Sequence, residues 1–571
     1  MAPPPAIANH ADNAPANCTD PPPGHAAPAI MPPPLGQPAP LDADEFRRQG
    51  RLVVDFIADY YERIHEYPVS PAVAPGFLAR QLPVTAPAQP EPDAFAAALD
   101  DVRDLILPGV THWQSPHHFA HFAATASNVG ALGEALAAGL NINPFTWAAS
   151  PAATELEVVV TDWLGKALHL PENLLFSGGG GGTLLGTSCE ALLCTIVAAR
   201  DRKLAEIGEE RIGDLVVYCS DQTHFSFQKA ARIAGIRRGN CREIPTSWES
   251  GFTLSPKALS TAVRADEAAG RVPLFLCATV GTTPTAAVDP IRELCAVVSG
   301  HDVWVHVDAA YAGAACVCPE FRHAIAGAEA VDSISTNPHK WLMANMDCCA
   351  LWVRRPEALT AALGTDHDVI LKDPSAQAQR DGRGGGVVVD YKDWQVSLSR
   401  RFRALKLWLV LRCHGVEGLR GFVRGHVRMA AAFEAMVRAD ARFELPVPRR
   451  FSLVCFRLRP AVVVVGGKRG RRGDAAVASN ELNARLLEAV NATGRAYMSS
   501  AVVGGVYVLR CAIGNSLTVE RHVREAWSVV QEQATVVLAA AAARPDEGAA
   551  GNVRCGVADG AGASASVVLG N

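Results

Sequence analysis

The sequence predicts an α/β protein with a sheet buried on both faces, followed by a smaller α+β domain. Two observations carry this. Between residues 128 and 404, short apolar runs rich in β-branched residues alternate with helical stretches. Runs that are apolar throughout, rather than at every second position, belong to strands covered on both sides. After Leu405 the stretches become long and amphipathic, with strand-like runs only at Phe451–Leu458 and Val506–Cys511.

Taken in order, residues 1–40 are Pro/Ala-rich and bury too little to offset chain entropy, so a disordered tail is expected. Asp42 or Asp44 can cap a helix through Phe46, Val53, Val54, Ile57, Tyr60, Tyr61 and Ile64, whose apolar side chains share one face. Prolines interrupt residues 68–92, and a second helix is expected over Phe95–Ile106. The large domain spans 128–404, with strands at Leu215–Tyr218, Leu274–Ala278, Trp304–Val307, Ser333–Ser335 and Ala350–Val353. The small domain spans 405–540, and an Ala/Gly-rich tail fills 541–571. The Gly/Arg-rich stretches 380–386 and 466–473 read as loops.

Composition narrows the function classes. Lys and Arg number 53 against 58 Asp and Glu, a net charge of −5, which speaks against a nucleic-acid or anionic-membrane partner. No apolar run reaches the roughly 18 residues of a membrane helix. The N-terminus lacks the basic and apolar regions of a secretory signal. The 15 cysteines are therefore expected as reduced thiols in a cytoplasmic protein, and none has the paired spacing of a zinc site, so no metal is expected.

Three features can carry chemistry. Ser177–Gly182 (SGGGGG) precedes a helix beginning at Ser188; a glycine turn feeding a helix N-terminus can cradle a phosphate, though alone it reads more readily as a flexible loop. Asp308 closes the apolar run in VHVDAAYAG, where a turn carboxylate is the bland alternative. Lys340 sits in STNPHKW between two strand-like runs, and a lysine held inside a domain needs a partner, a lowered pKa or a covalent bond. Together, in this order, they are the parts a pyridoxal phosphate enzyme requires: an amine for the cofactor carbonyl, an acid for its ring nitrogen, and a phosphate seat.

The chain from Pro40 to Gln533 resembles the plant aromatic-L-amino-acid decarboxylases. The segments that carry the likeness include PGVTHWQSP, SDQTH, VGTT, WVHVDAAYAG, NPHKW, VVDYKDWQ and RRFRALKLW. The resemblance implies the aspartate-aminotransferase fold type: a large, mostly parallel sheet domain, a small C-terminal α+β domain, and an N-terminal helical arm (41–127) that wraps a second copy in a homodimer. It implies pyridoxal 5'-phosphate bound to Lys340, with Asp308 on the ring nitrogen, His224 stacked on the ring and Ala310 beneath it. Thr187, Ser188, Asn337 and His339 match phosphate-binding positions, Cys189 stands beside them, and Thr283 matches a cofactor contact. Trp113, Phe122 and Phe145 would wall the substrate pocket at the subunit interface. Ser399 stands where phenol-preferring relatives carry Ser, which favours tyrosine or dopa over tryptophan or phenylalanine.

One departure bears on the product. Amine-forming relatives carry a loop tyrosine that protonates the substrate carbon after CO2 leaves. The matching stretch here, Thr365–Lys372, has no tyrosine, and Val369 or Ile370 occupies its place. Neither side chain has a proton to give. Decarboxylation to the arylalkylamine remains the first expectation. The alternatives are an aldehyde synthase, releasing aldehyde, NH3 and H2O2, and a poorly active cofactor-binding paralogue. His121 and Ala123 also replace an aromatic residue and a proline of the family pocket.

Overall fold

A computed structural model describes residues 41–89, 93–365, 388–459 and 472–542. Both expected tails lie outside these residues apart from Ala541 and Ala542, as do Val369, Ile370, the 380–386 stretch and most of 466–473. The chain forms two compact units, one holding 41–61 with 85–103, the other 62–84 with 104 onward.

In the first unit, the helix Ala43–Glu62 starts where Asp42 accepts the N–H groups of Asp44 and Glu45. It buries none of its residues. The second helix is shorter than expected, Ala94–Asp101, and gives way to a wider turn over Val102–Ile106.

The larger unit is built on seven strands: β1 (Gly181–Leu185), β2 (Leu215–Ser220), β3 (Cys241–Ile244), β4 (Val272–Thr279), β5 (Trp304–Asp308), β6 (Ser333–Thr336) and β7 (Cys349–Val353). Their order is β1-β7-β6-β5-β4-β2-β3. Strands β2 to β6 run parallel to one another, and β7 runs antiparallel to both β6 and β1. Alternate residues feed separate cores: Val216 and Tyr218 enter one, Leu215, Val217 and Cys219 the other. That two-sided burial is what made these strands apolar throughout.

Three strands carried little signal. β1 is GGTLL; β3 is half polar because it lies at the sheet edge; β10 (Ser499–Val503) begins with two serines. Strand β10 belongs to the small antiparallel sheet, with β8 (Phe443–Glu444), β9 (Leu453–Leu458) and β11 (Val506–Ala512), in the order β10-β11-β9-β8. Helices Arg403–Ala439, Arg472–Ala492 and Glu520–Ala542 accompany it, and Phe433, Phe443, Phe456 and Trp527 fill its core.

The sequence grouped 41–127 as one arm; the structure divides that stretch. Phe119 is fully buried and lies between strands of the small sheet, its N–H donating to Tyr497 and its carbonyl accepting from Ala512. Thr125 donates its N–H to the His339 carbonyl at 2.7 Å. Residues 112–126 therefore form a wall of the larger unit.

Candidate functional site

Asp308 ends β5 and is buried, its Oδ1 accepting the Ala310 N–H at 3.0 Å. The Ala310 carbonyl accepts the Asn337 N–H at 3.1 Å, which ties the turn after β5 to the turn after β6. Lys340 follows on a single helical turn, Pro338–Trp341. Trp341 is fully buried: its ring stacks on Tyr311 at 5.0 Å, and its indole N–H donates to His426 Nδ1 at 3.0 Å. Tyr311 stacks in turn on Phe122 at 3.6 Å. This aromatic column anchors the short helix that carries Lys340 through its neighbour Trp341.

Burial holds the Lys340 ammonium below its ordinary pKa, with nearby Asp308 opposing the shift. The Nζ makes no hydrogen bond or ion pair with the described residues. A desolvated lysine facing a carboxylate is a nucleophilic amine held ready.

His224 completes the group. The Ser226 N–H donates to its Nδ1 at 3.2 Å, so the neutral ring carries its proton on Nε2. Its pKa is lowered by burial first and by Lys340 second, with Asp308 opposing. Lys340, Asp308 and His224 thus share one electrostatic neighbourhood.

The helix Ser188–Ile207 points its N-terminus at the same place. Thr187 caps it by accepting the Glu190 N–H, and the Ser188 hydroxyl donates to Asn337 Oδ1 at 2.9 Å. Ser188 and Cys189 lie in the first turn, where N–H groups have no acceptor within the helix and suit an anion. His339 is buried against the Cys348 carbonyl at 2.7 Å, and burial pushes its pKa down to about 4, so it stays neutral.

The glycine run is a correction. It is neither a phosphate cradle nor a flexible loop. A Cβ on Gly178 would sit 2.1 Å from the Glu172 carbonyl, and one on Gly180 would sit 2.5 Å from the Asn173 carbonyl. These glycines let backbone pack on backbone, and the run continues directly into β1.

Of the expected pocket walls, Phe122 joins the aromatic column. Trp113 is 40% exposed and stacks on His118 and His121. Thr283 is exposed in the loop after β4. Phe145 is half-buried, its carbonyl accepting the Lys392 N–H. Ser399 lines a cleft of about 530 Å³ with Asn143, Glu190 and Arg403, and none of Lys340, Asp308 and His224 lines it. Within one chain, Ser399 and the lysine are not brought together.

Arg510 was missed. It is buried on β11, over the Phe122 ring at 5.4 Å, and donates to Ser499 Oγ and the carbonyls of Ala120 and Pro284. Its Nη2 has no partner among the described residues, and no carboxylate faces it. The signal was a lone arginine in the apolar run VYVLRCA.

Residues 75–459 match the conserved domain of the pyridoxal-dependent decarboxylases. The chain belongs to this family. It is 72% identical over 500 residues to a tyrosine decarboxylase of Oryza sativa subsp. japonica, covering 87% of this chain and 92% of the relative. It is 55% identical to a phenylacetaldehyde synthase of a Rosa hybrid cultivar, covering 87% and 95%. The solved tryptophan decarboxylase of Catharanthus roseus, in complex with L-tryptophan, superposes with a TM-score of 0.80 at 48% identity, covering 87% of this chain and 100% of that one.

This pyridoxal-dependent decarboxylase is accordingly a carboxy-lyase with pyridoxal 5'-phosphate as cofactor, and the residues present fit the group. An unpaired amine, a buried carboxylate and an open helix N-terminus converge as its carbonyl, ring nitrogen and phosphate require. Among the described residues, no helix is long and apolar enough to cross a membrane, and no cluster of His, Cys, Asp and Glu could hold a metal ion.

Proposed function

We propose that this enzyme decarboxylates an aromatic L-amino acid, tyrosine or dopa ahead of tryptophan and phenylalanine, to the arylalkylamine and CO2. The observation that carries it is the half-buried Lys340 amine near Asp308, which makes no hydrogen bond or ion pair with the described residues. Lys340 would bind the cofactor carbonyl, Asp308 the ring nitrogen, and Ser188, Cys189, Asn337 and His339 the phosphate, with Thr187 capping their helix. His224 and Ala310 would cover the two ring faces, with Thr283 at the rim. Bound pyridoxal phosphate supplies a sink for the electrons left when CO2 departs. The free N–H group of Arg510 suits an anionic carboxylate. His224, with its proton on Nε2, holds a proton near Lys340 for delivery to the substrate carbon.

The reading includes a homodimer in the cytoplasm. Leu132, Leu136 and Leu140 form an exposed stripe on the helix Asn128–Leu140, and Val396 and Leu398 are exposed beside Ser399. Such an apolar face suits a second copy, whose site would then receive Ser399, and with it Phe145. The described cysteines are all free thiols, as a reducing compartment requires.

A second reading is favoured by the absence of tyrosine from Thr365–Lys372. An aldehyde synthase would convert amino acid, O2 and H2O to aldehyde, CO2, NH3 and H2O2. Purified holoenzyme turning over tyrosine in an oxygen electrode separates the readings. Amine without O2 uptake supports the decarboxylase, whereas one O2 consumed per CO2 replaces it with the synthase. No CO2 from any aromatic amino acid would leave a cofactor-binding paralogue.

A further inference from the structure

Lys340 rides on a helical turn of only four residues, Pro338–Trp341, too short to hold its own position. The chain just beyond it is strained: Met343 takes a φ of +58°, a left-handed backbone that long side chains rarely adopt. The turn must therefore be fixed from outside. The hydrogen bonds that fix it lead back to one place, the loop 513–519 between β11 and the helix Glu520–Ala542.

One arm runs through the buried His426, on the helix Arg403–Ala439. The Trp341 indole N–H donates to its Nδ1 at 3.0 Å, and its Nε2 lies 3.1 Å from the Asn515 carbonyl. An indole N–H only donates and a carbonyl only accepts, so both neighbours demand the same tautomer, with the proton on Nε2. Burial pushes the His426 pKa down to about 4, so the ring stays neutral and keeps both bonds.

The other arm runs through the wall formed by residues 112–126. Asn515 Nδ2 donates to the Trp113 carbonyl at 2.6 Å, Ser516 Oγ to the Ala126 carbonyl at 2.7 Å, and Thr518 Oγ1 to the Pro116 carbonyl at 2.8 Å. Thr125, next to Ala126, grips the lysine turn itself. Its N–H donates to the His339 carbonyl at 2.7 Å, and its Oγ1 accepts the Met343 N–H at 2.8 Å. His339, Trp341 and Met343, which flank Lys340 in the chain, are thus held by two arms with a common base.

We propose that His426 is a positioning residue for Lys340: with the loop 513–519 it clamps the lysine turn to the small domain and holds the amine set for the cofactor carbonyl. Without His426 a buried indole N–H is left unpaired, which is costly. The turn then shifts to satisfy it, and the cofactor has to draw it back on binding. The clamp matters to the cofactor only on the reading that Lys340 takes its carbonyl.

The test measures how tightly the holoenzyme keeps its cofactor, by equilibrium dialysis of the full chain against graded pyridoxal 5'-phosphate. His426→Phe should weaken cofactor binding about tenfold, the scale of one buried hydrogen bond left unmade. His426→Gln, which keeps an acceptor and a donor on one side chain, should recover most of that loss. Trp341→Phe removes the same bond from its other end, and the double variant should be no worse than either single one. Phe433→Leu, in the small-domain core on the same helix, lowers stability without touching the clamp and should bind cofactor like the parent. A His426→Phe variant that melts at a lower temperature yet keeps the parental dissociation constant has lost a structural bond only, and overturns the clamp. A double variant whose two losses add does the same. Should His426→Phe fail to fold, Trp341→Phe decides alone, and parental binding there overturns the clamp. Borohydride labelling of the parent tests the underlying reading separately. Label on another peptide overturns the assignment of Lys340 and the clamp with it, whereas label on Lys340 with unaltered binding in the variants overturns the clamp alone.

Discussion

The Ser188 hydroxyl donates to Asn337 Oδ1 across 2.9 Å, joining the start of the helix Ser188–Ile207 to the turn that carries Lys340. The proposed phosphate end and carbonyl end of the cofactor site are therefore joined by one bond between residues 149 positions apart in the chain.

Ser188→Ala removes that bond, and with it the tie that sets Asn337 against the proposed phosphate seat, while leaving the Lys340 amine in place. Cofactor affinity should fall about tenfold, the worth of one hydrogen bond to a charged group. Equilibrium dialysis measures it directly. At saturating cofactor, the KM for the amino acid should be unchanged.

His224 should set the acid limb of activity. Its pKa is depressed from 6.5 by burial and by Lys340, so it stays neutral until the pH falls below that value. The acid limb of kcat/KM should lie below pH 6.5, and His224→Asn should abolish it together with most of the rate, on the order of a hundredfold or more.

Buried histidines should also make the fold acid-sensitive. His118, His306, His339 and His426 each have a pKa pushed down to about 4 by burial. Between that value and 6.5 the unfolded chain binds protons that the folded chain refuses, so stability falls as the pH falls. The slope is about 1.4 kcal/mol per pH unit for each group. Melting temperature should drop steeply from pH 6.5 to 4, and replacing His118, whose two ring nitrogens have no partner, by Phe should flatten the curve.

Arg400→Ala should destabilise the large domain. The guanidinium and Glu157 are both buried and joined by two bonds, of 2.8 and 2.7 Å, and Glu157 also accepts the Leu184 N–H of β1. Removing one partner leaves a buried, unpaired charge, at a cost of about 3–5 kcal/mol. Denaturant unfolding followed by tryptophan fluorescence provides the measurement.

Much of this was legible in the chain before folding. The strands β2, β4, β5 and β7 announced themselves as largely apolar runs because a sheet between two cores buries both faces, and β6 (SIST) by its place between two of them. Strand β1 did not, since Gly181 and Gly182 were chosen by close packing against Trp394, Phe176, Thr161 and Trp352 rather than by strand propensity. Lys340 and Asp308 stood out by residue type and order, whereas His224 was marked only by the resemblance of SDQTH to the family. Arg510 and the bond from Trp341 to His426 did not stand out, because their meaning depends on which elements pack side by side.

The sequence alone marked most of the strands through local periodicity, Lys340 and Asp308 through their chemistry and order, and the family through the motifs it resembles. Only the tertiary structure decided that a serine at a helix start meets an asparagine before the lysine, and that Ser399 stands apart from Lys340 within one chain. It alone brought Trp304, Ser333, His306 and Ser335 into one hydrogen-bonded row across β5 and β6. Those relations depend on sheet order and register, which are set by long-range packing that no local stretch of sequence encodes.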